Sequence, residues 1–112
     1  MHWIHLTGEE QLQHIVVKSQ EKPQIIFKYS SLCLSSDIVL RKLQEKCCPE
    51  SADFYFLDLL TYHSLSDKVA GLFHVHHESP QVLLISDGEC VYEESHLAIN
   101  AAELLAQAQL VS

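Results

Sequence analysis

Apolar positions along the chain follow two periods in turn, and their order predicts the elements. Leu12, Ile15 and Val16 recur at the spacing of one helical face, behind Thr7-Gly8-Glu9-Glu10, a capping box whose hydroxyl and carboxylate satisfy free first-turn amides. This predicts a helix over residues 8 to 19, closed before Pro23. Residues 24 to 29, Gln-Ile-Ile-Phe-Lys-Tyr, form an apolar, partly β-branched run of strand length. Leu34, Ile38, Val39, Leu43 and Cys47 return to the helical period and predict a second helix over residues 34 to 47, ended by Pro49. Residues 54 to 59 read as the next strand, and Ser64-Leu65-Ser66-Asp67 as a capping-box-like start to a helix carrying Leu65, Val69, Leu72 and Phe73. Strands over 81 to 86 and 89 to 94 flank Asp87-Gly88, a pair that tolerates the positive φ of a two-residue hairpin turn. Asn100 then caps a last helix with Ala101, Leu104, Leu105 and Ala108 on one face. The expected fold is α/β, a βαβ unit followed by ββα, with a mixed central sheet flanked by helices and a right-handed crossover between the parallel strands.

Length and composition narrow the class. The 112 residues, 47% hydrophobic and without repeats or a linker, make a single domain spanning 1 to 112 that stands on an apolar core without disulfides. Seven Lys and Arg against 15 Asp and Glu leave a formal charge of −8, which repels phosphate backbones and anionic lipid; no nucleic-acid or membrane partner is expected. Met1-His2-Trp3-Ile4-His5 lacks the basic start and apolar stretch of a secretory signal, so the expected location is cytoplasmic, where thiols stay reduced. Cys33, Cys47, Cys48 and Cys90 make no C-x-x-C pair of zinc-site spacing. The histidines of His74-Val75-His76-His77 fall on a helix end and loop and assemble no ligand set, so no metal is expected.

Cys33 sits where thiol chemistry is easiest, after a strand and short loop, at the start of the second helix. Unpaired amides and the helix dipole there favour thiolate over thiol. A buried cysteine acting as a small hydrophobe is the competing reading. Three residues on stands Ser36, so Cys33-Leu34-Ser35-Ser36 is a monothiol site that must be resolved by another thiol. Were Cys47 on the same helix, 14 residues at 1.5 Å each would separate the two Cα atoms by ~21 Å, far beyond disulfide reach. Cys47 is therefore expected in the core, Cys48 at a helix end, and Cys90 at the opposite end of the sheet from Cys33, without an assigned role. Lys28 at its strand end offers positive charge near the thiolate, with a solvated side chain as the blander alternative. Glu78-Ser79-Pro80 precedes a strand; the residues alone favour a trans proline there.

These features in this order resemble the thioredoxin fold, in which a helix-start cysteine faces a cis-proline. More closely, Phe27-Lys28-Tyr29-Ser30-Ser31-Leu32-Cys33-Leu34-Ser35-Ser36, His77-Glu78-Ser79-Pro80-Gln81 and Asp87-Gly88-Glu89 resemble the YtxJ-like monothiol bacilliredoxins of the bacillithiol redox system. The chain departs from that pattern at Tyr29, where His is usual, and at Leu34, where Pro is usual. The resemblance implies Cys33 as the nucleophile and Pro80 in cis beside it, with the backbone around Ser79 presenting an edge to an extended client segment; Ser79, Pro80, Ser36 and Lys28 are the expected substrate-binding residues. It implies S-thiolated client proteins as partners, bacillithiol or a similar low-molecular-weight thiol as co-substrate, and no organic cofactor. The alternative is a catalytically silent thioredoxin-like interaction module in which Cys33 is residual.

Overall fold

The computed structural model describes residues 2–46 and 51–111. Its elements are β1 (Ile4–His5), α1 (Glu9–Lys18), β2 (Gln24–Tyr29), α2 (Leu34–Gln44), β3 (Asp53–Asp58), α3 (His63–Phe73), β4 (Gln81–Ser86), β5 (Glu89–Ser95), a 3-10 turn (His96–Ala98) and α4 (Ala101–Leu110). One five-stranded sheet runs β1-β3-β2-β4-β5, parallel across β1, β3 and β2 and antiparallel from β2 through β4 to β5. The expected βαβ and ββα halves are present, joined at the β2–β4 pair.

The three central strands are buried on both faces, which is why they read as continuous apolar runs rather than alternating ones. Alternate residues of β2 serve opposite cores. Ile26, with Tyr55, Leu57, Leu83 and Ile85, packs under Leu12 and Ile15 of α1 and Leu65, Val69 and Phe73 of α3. Ile25 and Phe27, with Phe54, Val82 and Leu84, pack under Val39 and Leu43 of α2 and Leu104 and Ala108 of α4. Lys28 follows the parity of Ile26 and so points to the α1/α3 side. No described helix is long and apolar enough to cross a membrane.

Several local expectations are corrected. Strand β1 was not legible, because two residues carry no periodicity. Gly8, not Thr7, caps α1, and Gln11 rather than Glu10 completes the cap, its Oε1 accepting from the amides of Thr7 and Gly8 at 2.7 and 3.1 Å. Helix α2 ends at Gln44, three residues short of the expected 47, with Glu45 as its C-cap. The assignments of Cys47 and Cys48 fall outside the described residues. Helix α3 begins at His63 behind Tyr62, without a side-chain cap; Ser64 is not its cap, since Asp58 organises the preceding turn through Leu60 N–H and Thr61 Oγ1, both at 3.1 Å. Asp87 and Gly88 adopt φ of 50° and 78°, as the hairpin turn requires. Asn100 Oδ1 accepts from Glu103 N–H at 3.0 Å and caps α4 as expected.

Candidate active site

The site forms where the carboxyl ends of β2 and β3 meet the start of β4. Cys33 is the N-cap of α2, with extended φ and ψ of −108° and 112°. The loop from β2 is tied to the first turn of the helix. Cys33 N–H donates to Ser30 O and Ser36 N–H to Cys33 O, each at 3.0 Å. Ser36 Oγ accepts from Ser30 N–H at 3.2 Å. Tyr29 Oη donates to Asp37 Oδ1 at 2.6 Å, binding the end of β2 to that same turn. This bond raises the Tyr29 phenol above its usual range and tethers the strand end to the start of α2.

The half-buried Cys33 Sγ lies 2.9 Å from Ser35 Oγ and 3.7 Å from the carbonyl of Ser79. Its pKa lies below that of an ordinary thiol. The Ser35 hydroxyl is the main cause, opposed by partial burial and assisted by the amides of Ser36 and Ser35 and the Ser36 hydroxyl. Neutral donors at a helix start thus favour the thiolate, and no charged side chain is among the causes. The Ser79–Pro80 peptide is cis, contrary to the trans form the residues alone favour and in line with the resemblance. Pro80 is buried, while Leu32 and Leu34 on either side of the thiol are 82% and 79% exposed.

Lys28 is corrected on both counts. Its side chain is 0% exposed, so it is neither solvated nor able to touch a substrate, and its charge does not figure in the Cys33 shift. Nζ instead donates to Ser66 O on α3 at 3.3 Å and lies 3.4 Å from His77 Nδ1, which is also 3.1 Å from Ser66 Oγ. Burial lowers the Lys28 pKa to about 8, against a raising influence of Asp67. Ser36, also 0% exposed, braces the loop from beneath rather than facing a substrate. Pattern in the sequence could not reveal the Lys28–His77–Ser66 node, because its members lie 38 and 49 residues from Lys28.

Cys90, on β5, pairs across to Ile85, whose other neighbour is Gln24 at the start of β2. It therefore lies the length of β2 away from Cys33. Its thiol donates to Tyr92 O at 3.4 Å and burial pushes its pKa up, so it is the less reactive of the two free thiols among the described residues. No group of three or more His, Cys, Asp or Glu side chains able to hold a metal ion occurs among the described residues.

The model of the family described as Monothiol bacilliredoxin BrxC matches residues 4–104. Among solved structures, a thioredoxin-fold protein assigned as an oxidoreductase is 30% identical, with a TM-score of 0.79 over 95% of this chain and 92% of that one. The thioredoxin of Malassezia sympodialis (11% identity, TM-score 0.73, covering 99% and 96%) and that of Fasciola hepatica (14%, 0.72, 96% and 98%) share the fold.

Proposed function

We propose, on the premise that this chain belongs to the monothiol bacilliredoxin family, that it is a thiol–disulfide oxidoreductase that removes bacillithiol, or a similar low-molecular-weight thiol, from mixed disulfides on client proteins, with Cys33 as nucleophile. Family and fold support a thiol oxidoreductase role. The observation that carries the finer reading is the Cys33 thiol at the α2 N-cap, its ionisation favoured by Ser35 and the first-turn amides, set opposite the Ser79 carbonyl.

The Cys33 thiolate attacks the small-thiol sulfur of the client disulfide. That S–S bond breaks, a new one joins Cys33 to the small thiol, and the client cysteine leaves as thiolate and takes a proton. A second small thiol then attacks the adduct, leaving as a symmetrical disulfide and returning Cys33. Ser36, where a second cysteine would be needed for internal resolution, makes this external step necessary. In the resting thiol, Cys33 donates to Ser79 O; ionised, it has no proton to give. That carbonyl is then free to accept a backbone N–H from an extended client, with exposed Leu32 and Leu34 offering apolar contact. The experiment is de-thiolation of a bacillithiol-modified protein, read by mass spectrometry. Wild type should release the adduct and Cys33→Ser, equally folded, should not; equal release by both would reject Cys33 as nucleophile and with it the proposal.

A further inference from the structure

The loop that carries Ser79 and Pro80 is held from the α1/α3 side by three bonds, none of which touches Cys33. Gln81, in register with Lys28 across β2 and β4, is buried and donates through Nε2 to the His76 carbonyl at 3.0 Å. His77 Nδ1 meets Lys28 Nζ at 3.4 Å and Ser66 Oγ at 3.1 Å. An ammonium can only donate, so Nδ1 here is the bare nitrogen of a neutral ring with its proton on Nε2. The ring itself is exposed, and it forms a cover over a buried cation. Two residues further on, the Ser79 carbonyl faces the thiol.

We propose that His77 is a positioning residue of the Cys33 site: while neutral it clasps Lys28 and Ser66 and holds the Ser79–Pro80 edge against the thiol, and on taking a proton it lets that edge go. The inference rests on Cys33 being the reacting group. Its physical basis is that a protonated Nδ1 loses its lone pair and sets a second positive charge 3.4 Å from a buried one. Burial and the Lys28 charge both hold the His77 pKa below its usual value. From α3, Asp67 opposes them and His63 assists them, and Glu78 on the loop opposes them. The clasp is therefore closed at neutral pH and opens on acidification. Each open molecule presents the thiol without the neighbouring backbone acceptor, so docking of an extended client suffers more than reactivity toward a small reagent.

Two readouts test this. In Cys33→Ser protein, which removes the thiol's own titration, the Ser79 amide resonance should move in step with the His77 ring as the pH is lowered from neutral, below the range in which Lys28 titrates. A Ser79 amide that stays flat while the ring titrates would overturn the inference, whatever the enzyme does. In the Cys33 protein, the rate of client de-thiolation divided by the rate of iodoacetamide alkylation isolates docking from thiolate content. His77→Ala should lower this ratio several-fold through KM. His77→Gln, whose amide oxygen accepts from Lys28 at any pH, should restore it and abolish its fall on acidification. A ratio unchanged in His77→Ala would overturn the inference while leaving the exchange reaction intact; loss of Cys33 dependence would instead overturn the proposed function.

Discussion

At the scale of single residues, reactivity depends on one hydroxyl more than on any charge. Ser35 is the largest influence lowering the Cys33 pKa, and hydrogen bonds to a charged form favour that form. Ser35→Ala should raise the pH at which alkylation reaches half its maximum and slow iodoacetamide alkylation at neutral pH several-fold, with the helix intact by circular dichroism. An unchanged pH profile would remove Ser35 from the account. The position of Cys33 at a helix start was legible, because strand, loop and helix periods meet there. The identity of its helpers was not. Lys28 was the only cation near it in sequence, but side-chain parity along β2 turns it to the other face of the sheet, where it meets Ser66 and His77. Tyr29, one residue on, faces α2 and reaches Asp37. Such contacts depend on which face a side chain occupies at the end of a strand, which a window of neighbouring residues does not encode.

Elements were recoverable wherever a period ran for several residues or a turn demanded a particular dihedral. Strands β2 and β4 match their expected spans residue for residue. The Asp87-Gly88 turn was legible because few residues accept its φ values. It is also anchored, since Gly88 N–H donates to Ser19 Oγ at 2.8 Å and Asp87 N–H to Ser19 O at 3.1 Å, tying the hairpin to the end of α1. A Cβ at Gly88 would meet Val16 Cγ1 at an ordinary 3.5 Å, but φ is 78°. Gly88→Ala should therefore cost about 1–2 kcal/mol from backbone conformation alone, lowering Tm by roughly 4–8 °C per kcal/mol in a domain this small. A calorimetric Tm equal to wild type would mean that the turn relaxes to another type. Helix ends were less legible. Caps shifted by a residue when a glutamine outcompeted a glutamate, and α2 stopped at Gln44, before the Pro49 expected to end it.

For the molecule as a whole, stability carries the mark of the buried lysine. Its pKa falls from 10.5 unfolded to about 8 folded. Between those values the unfolded chain binds the extra proton, so ΔG of unfolding rises with pH across the window. The cost of burying the charge is fully present below about 8 and is lost as pH approaches 10.5. Compared with Lys28→Met, which removes this one titration across the interval, wild type should gain on the order of 3 kcal/mol, at about 1.36 kcal/mol per pKa unit. Urea unfolding of both proteins at about pH 7 and about pH 10 measures it; parallel pH dependence would show that water or a counter-charge already solvates the amine. A second whole-molecule consequence lies at the rim of the sheet. β1 is only two residues long, whereas β5 offers seven on the other edge. Open strands of that length are templates for uncontrolled self-pairing. Here Glu89 and Glu93 are exposed along β5, with Glu94 partly so. A second molecule laying its own β5 alongside would bring carboxylates against carboxylates on a chain already at −8. Colloidal behaviour is thus guarded at the edge remote from β1 by charge, beside the register shift at Leu84 and Ile85 of the β4–β5 pair, and the guard weakens as salt screens those carboxylates.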